Sequence, residues 1–171
     1  MFRRRAVQAE ATRPAESLPA RLYGWAEARS RMPHLYTDLG APDTVEGRCE
    51  LLTLHIVLLL IRLKSEDGPG GGLGQALFDF YLSNLDGAMR EMGVGDLAMG
   101  KRMRALGEVF YGRASAYEDA FAALPDRTAL EAVIARTVLG GAAERSPGPL
   151  AGYVEGLRRE LAGRSVDDLV R

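Results

Sequence analysis

The stretch that most constrains the fold is FDFYLSNLDGAMREMGVGDLAMGKRMRALGEVFYGRASAY, residues 78 to 117, because its apolar residues keep helical spacing on both sides of a glycine pair. Before the glycines, Phe78, Leu82, Leu85, Met89 and Met92 recur at steps of four, three, four and three, which puts them on one narrow helix face. That face is expected to pack inward. Asp79, Ser83, Asp86 and Arg90 form a polar stripe about a quarter-turn away, open to a partner or a neighbouring helix. After the glycines, Asp96 is placed to cap a helix running to about Leu124, with Met99, Met103, Leu106, Phe110, Ala114, Tyr117, Phe121 and Leu124 on one face. Lys101, Arg104 and Glu108 share its far side. Gly93 suits the left-handed residue that closes a helix, and Gly95 lets the chain turn before the next one starts.

Gly95 to Lys101 also matches the G-x-x-x-x-G-K spacing of a phosphate-binding loop, but the chemistry is wrong. Arg102 stands where a magnesium-binding Ser or Thr is needed, no strand pattern precedes the loop, and Asp96 would set a carboxylate where phosphate must lie. The glycines are read as a corner.

With 171 residues, 47% of them apolar, the chain can bury one substantial core, and general disorder is excluded. A net charge of −1, with basic residues not interleaved with stacking aromatics, gives no case for DNA or RNA as the primary partner. A single cysteine, Cys49, excludes an internal disulfide and any multi-cysteine metal site, and its place in an apolar helix predicts a buried inert thiol. MFRRRAVQAEA has the positive start of an export signal without the apolar run that must follow, so a cytoplasmic location is expected. Residues 1 to 16 read as a flexible basic tail, with Arg3, Arg4 and Arg5 offering weak attraction to anionic lipid or ribosomal RNA.

From residue 17 onward the chain reads as one helical domain. An amphipathic helix is expected from Ser17 to about Met32, with Leu18, Leu22, Trp25 and Ala28 inward, and Pro33 ends it. A short turn over His34 to Leu39 closes at Gly40. APDTVEGR then signals a helix start, with Asp43 as cap and Glu46 reaching back. The following CELLTLHIVLLLIRLK is apolar nearly all round from Ile56 to Ile61, which predicts burial by several neighbours. The apolar segment from Leu51 to Leu63 is interrupted by Thr53, His55 and Arg62 and is too short to cross a bilayer. EDGPGGGLG and GGAAERSPGPL read as connections, Asp126 as a cap for a helix to about Leu139, Leu150 to about Ala162 as a last full helix, and VDDLV as a final turn. The expectation is an all-α single-domain bundle of six or seven helices around a long central apolar helix.

No constellation favours catalysis. Asp79 and Asp86 share a face but lie about 10 Å apart along the axis, too far to share one metal or proton. His34 and His55 are the only imidazoles, no nucleophile elbow is present, and no cofactor is implied. What remains is a surface: Asp79, Asp86, Arg90, Glu91, Asp96, Lys101 and Arg102 crowd the corner, with Tyr111, Arg113 and Tyr117 further along. Mixed charge with Arg and Tyr is the composition of a protein contact patch. Met89, Met92, Met99 and Met103 would adapt to an apolar client if their face is open, and belong to the core if it is not.

The same corner closely resembles the ubiquinol-cytochrome c chaperone family, whose motif DxxxxDxDxxLREMGVGDLxVGKRxKxMxxxFYGRxxAY stands here as DFYLSNLDGAMREMGVGDLAMGKRMRALGEVFYGRASAY. Upstream, RMPHLYTDLGAPDTVEGRCELLTLHIVLLLIRLK is similar to the family's YxxLGxPDTxEGRFExLxLHxxLLxxRL, so the likeness spans about residues 31 to 117. Asn84 replaces an acidic residue, Met99 a valine and Cys49 a phenylalanine. The resemblance implies a non-catalytic chaperone or assembly factor that binds newly made cytochrome b, or another subunit of the cytochrome bc complex, with a small co-chaperone or the ribosome as further partners. The contact residues expected on the polar corner are Asp79, Asp86, Arg90, Glu91, Asp96, Lys101, Arg102, Arg113 and Tyr117. The resemblance also implies a bacterial protein acting in the cytoplasm or peripherally at the inner face of the cytoplasmic membrane. Two rival expectations are a site for a quinone, lipid or nucleotide between the central helix and the corner, and a peripheral membrane adaptor.

Overall fold

In the computed structural model, residues 17–67 and 72–171 are described, and they form eight helices without a strand. In order these are α1 (Leu18–Ser30), α2 (Pro33–Thr37), α3 (Val45–Asp67), α4 (Gly72–Glu91), α5 (Asp96–Ala122), α6 (Thr128–Arg136), α7 (Gly148–Ala162) and α8 (Val166–Leu169). The expected basic tail, residues 1 to 16, and the middle of the glycine-rich connection, 68 to 71, lie outside the described residues. The count exceeds six or seven because α2 and α8 are complete, if short, helices. Pro33 starts α2 and the left-handed Gly40 follows it, while the Ser165 side chain accepts from the Asp168 amide to start α8.

Helix α3 touches α1, α4, α5 and α7, as its all-round apolar middle requires. Leu51, Leu54, Ile56, Val57, Leu58, Leu59 and Leu63 are all buried. From α1, Leu22 and Ala26 complete this core; Ala26, not Ala28, faces inward. Leu77, Phe78 and Tyr81 of α4, Phe110, Tyr117 and Phe121 of α5, and Leu150, Val154 and Leu157 of α7 close it from other sides. Arg29 reaches from α1 to Glu160 of α7 at 2.7 Å, and Arg62 of α3 donates to the carbonyl of Leu161 at 2.8 Å. Helix α4 starts earlier than its glycines predict, since Leu73 packs against the core and tertiary contact overrides weak propensity.

The start of α3 is shifted by one residue from the sequence expectation. Thr44, not Asp43, caps it, accepting from the Gly47 amide at 3.1 Å. Asp43 instead accepts from Arg48 Nε at 2.6 Å. The cap brings the Pro42 carbonyl oxygen to within 2.1 Å of where a Cβ on residue 47 would stand, so only glycine fits there. Gly47→Ala is expected to lower stability by about 1–3 kcal/mol through overpacking against backbone, read as a shifted urea midpoint. An unchanged midpoint would mean that the Pro42 loop moves aside freely.

The other polar intrusion into α3 is His55, which is fully buried. Its Nδ1 lies 2.7 Å from the Leu51 carbonyl oxygen and its Nε2 2.7 Å from the Tyr153 hydroxyl. A carbonyl only accepts, so Nδ1 carries the proton and Tyr153 donates to Nε2. Burial, with a smaller push from Arg29, drives the imidazole down to about 4, against the Leu51 bond that favours its charged form. Because the folded value lies below the unfolded one, near 6.5, stability is complete above pH 6.5 and falls as pH drops towards 4. The loss should approach about 3 kcal/mol across that window. Urea titrations at stepped pH check this, with His55→Gln expected to flatten the slope between pH 6.5 and 4.

Candidate functional site

Two aromatic side chains from each helix clamp α4 to α5 near the core: the Phe78 ring lies 4.9 Å from that of Phe110 and 5.2 Å from that of Tyr111, and Tyr81 lies 5.4 Å from Phe110. Beyond the clamp, packing thins towards the corner. Leu82, Leu85 and Met89 are half-buried, and Met92 is exposed. The expected inward face of α4 is therefore covered only at its base. Of the four corner methionines, Met99 alone is buried, apart from the main core, while Met103 is half-buried.

The uncovered part of the fork is a groove of about 250 Å³ running between α3, α4 and α5. Its floor is Tyr81 and Phe110, its α4 wall Leu85, Met89 and Met92, and its α5 wall Leu106 and Val109. Thr53 anchors the floor. Its hydroxyl donates to the Cys49 carbonyl at 2.8 Å, so the Tyr81 hydroxyl, also 2.8 Å away, must donate to Thr53. Burial pushes the Tyr81 phenol up to about 12, so it is neutral and a donor at physiological pH. At the α3 edge stands the ion pair of Glu50 with Arg113, in which Arg113 Nε donates to Glu50 at 2.7 Å and a second guanidinium nitrogen reaches the other carboxylate oxygen. Cys49 lies on this edge and is exposed rather than buried, because it occupies the first turns of α3, before the four covering helices converge. Partial burial and the carboxylates of Glu50 and Glu46 push its thiol upward, which disfavours a reactive thiolate.

The predicted contact residues are distributed unevenly. Asp86, Arg90 and Asp96 form one cluster: Arg90 donates to Asp86 at 2.7 Å and to Asp96, tying the end of α4 to the first turn of α5. Asp96 is the first helical residue and Gly95 the cap, so the carboxylate serves this cluster and not the free amides. Asp79 accepts from Gln75 at 2.7 Å on the exposed face of α4. Glu91, Lys101 and Arg102 are exposed and pair with no described residue. Arg102 follows the stripe of Leu106, Val109 and Arg113 along the groove, whereas Lys101 and Arg104 point away from it.

Tyr117 does not belong to the surface. It is 1% exposed, and its hydroxyl lies 3.3 Å from Thr137, whose own proton goes to the Val133 carbonyl. The helical step that places it with Phe110 and Phe121 carries it inward with them. Glu50 was not anticipated as a site residue, although one acidic side chain at the start of so apolar a helix, one turn before Thr53, is the signal that marks it. Among the described residues no group of three His, Cys, Asp or Glu side chains is placed to hold a metal, and no helix is long and apolar enough to cross a membrane.

The sequence model of a family described as "Ubiquinol-cytochrome C chaperone" matches residues 37–171, from α2 to the end of the chain. The chain belongs to this family. Its similarity extends to the "Ubiquinol-cytochrome-c reductase complex assembly factor 1" of Xenopus laevis, 22% identical over 141 residues that cover 82% of this chain and 69% of that protein. Among solved structures, the Cbp3 homolog from Brucella abortus superimposes with a TM-score of 0.76 at 35% identity, over 90% of this chain and 84% of that one. The family match takes in both walls of the groove and the whole elbow, together with α6 and α7, on which the motifs of the first half are silent.

Glu50 and Arg113 join the two long helices of this family member where both are about one-fifth exposed, so their attraction is only partly screened. A double-mutant cycle with Glu50→Gln and Arg113→Met is expected to give a coupling of about 1–3 kcal/mol. Additive effects would show that the pair closes the groove edge without holding it.

Proposed function

We propose that this chain is a non-catalytic assembly chaperone for the cytochrome bc complex, which holds an apolar segment of newly made cytochrome b, or of another subunit, in the α3–α4–α5 groove. The observation that carries this reading is an open apolar groove edged by the Glu50–Arg113 ion pair, on a chain whose family is one of chaperones. A subunit destined for a membrane complex carries apolar helices that need cover until they are assembled. Leu85, Met89, Met92 and Val109 offer adaptable contact along the groove. Asp79, Asp86, Arg90, Glu91, Asp96 and Arg102 supply polar contacts beside the groove that set register, and Arg113 lines the α5 wall. Tyr117 supports α5 from within.

Several features favour a polypeptide over an enclosed small ligand. The groove is open along its length, and its volume falls below the roughly 300–1,000 Å³ common for small-molecule sites. Among the described residues no metal cluster faces it, and the Cys49 thiol on its edge is pushed away from the thiolate form by partial burial and by Glu50 and Glu46. The working unit is residues 17–171, placed in the cytoplasm at the inner face of the membrane, where the client is inserted.

The test is affinity capture from cells with the natural chain and with a Leu85→Asp, Val109→Asp variant. Val109 is 47% exposed and Leu85 half-buried at the edge of the core, so a lower recovery counts only where circular dichroism and the unfolding temperature show the variant folded. We expect the variant to recover about tenfold less cytochrome b and to lower the cytochrome b absorbance of the membranes, in line with the loss of two central contacts. Equal recovery by both proteins would overturn the groove assignment, and normal cytochrome b in a strain lacking the gene would overturn the role.

A further inference from the structure

The elbow carries a second surface at its outer tip, which meets the groove at Met92 and Arg102. Leu97, in the first turn of α5, is 104% exposed, and Met92 across the turn is 69% exposed. Such side chains at the tip of a helical hairpin are uncovered by anything in the fold. Lys101 lies about 6 Å up the α5 axis from Leu97 and Arg104 about 10 Å, with Arg102 at the same level on the groove side. All three cations are exposed and pair with no described residue. The acids at this end are largely spoken for: Asp86 and Asp96 share the Arg90 guanidinium, which leaves Glu91 at the tip and Glu108 a turn above Arg104.

Apolar side chains at a tip with a belt of unpaired cations one to two turns above it match the layering of an anionic bilayer surface. There the acyl boundary lies about 5–10 Å below the phosphates. We propose that the outer tip of the α4–α5 elbow is a membrane-docking wedge, in which Leu97 and Met92 enter the headgroup–acyl boundary of an anionic leaflet while Lys101, Arg102 and Arg104 engage lipid phosphates. Long basic side chains reach phosphates without drawing the helix ends deeper. Docked in this way, the groove would lie just above the bilayer. The proposal does not rest on the client reading, because lipid binding is a property of the protein alone.

The experiment is co-sedimentation of the full chain with phosphatidylcholine vesicles, with and without a minority of phosphatidylglycerol. We expect binding to the anionic vesicles that weakens with added salt, and little binding to the neutral ones. Lys101→Gln with Arg104→Gln should weaken it about tenfold or more, since each cation near the surface contributes roughly fivefold. Leu97→Ser should weaken it severalfold and Leu97→Trp should become quenchable by brominated lipid. Because these side chains are exposed and unpartnered, circular dichroism should report unchanged folding. Absence of binding to anionic vesicles would overturn the proposal. So would binding that survives all of these substitutions and disappears on removal of residues 1 to 16, because the basic tail would then be the anchor. Dependence on the cations without any effect at Leu97 would reduce the wedge to a charge contact and overturn the insertion.

Discussion

The fold depends on one requirement: α3 is apolar on every side through its middle, and no single neighbour can cover it. Four helices, α1, α4, α5 and α7, converge on it to do so. Covering α3 consumes only the parts of α4 and α5 that run alongside it. These two helices, 20 and 27 residues long, extend beyond the aromatic clamp, where their packing thins towards the corner. The groove and the elbow are therefore consequences of length. A shorter hairpin would satisfy α3 equally well and would leave neither.

The polar side chains inside this core are tolerable because each is matched. Thr53 and Thr137 both return their hydroxyl proton to a carbonyl one turn back, which leaves each oxygen free to accept from a tyrosine, Tyr81 or Tyr117. His55 is bracketed by a carbonyl and the Tyr153 hydroxyl. Among the described residues no buried side-chain nitrogen or oxygen lacks a partner, so the interior carries no polar debt that a ligand would be needed to settle. Chemical novelty is confined to the surface beyond the aromatic clamp.

Much of this was legible in the residues, and the rest failed for identifiable reasons. Periodicity located every full helix, since a step of three and four records which face is apolar. It could not record how much of that face finds a partner, which is why Met92 reads like Phe78 although one is exposed and the other buried. Cap chemistry misses by one residue at both long-helix starts, early at α3 and late at α5, because Asp43 and Asp96 are good caps in isolation and the structure pairs them with Arg48 and Arg90 instead. Tyr117 is expected both on the apolar face of α5 and among the contact residues, and the structure takes the first: its hydroxyl is satisfied indoors by Thr137, twenty residues on and invisible to local spacing. The Glu50–Arg113 pair lies between helices distant in sequence, and the family motif that contains both residues does not say that they meet.

The division of the elbow into two faces follows from helix geometry. On α5, residues 102, 106, 109 and 113 follow one stripe into the groove, and 97, 101, 104 and 108 follow the opposite one. A chaperone for a membrane subunit faces a geometric problem, since its client leaves water at the place where it must be held. One helix that presents apolar, adaptable side chains inward and an apolar tip with basic residues outward would, on the two proposals above, address both halves of that problem without moving parts. Such an arrangement also explains why so exposed a leucine as Leu97 is compatible with the packed core: it sits at the end of a lever whose stability is supplied elsewhere, by the rings of Phe78, Tyr81 and Phe110.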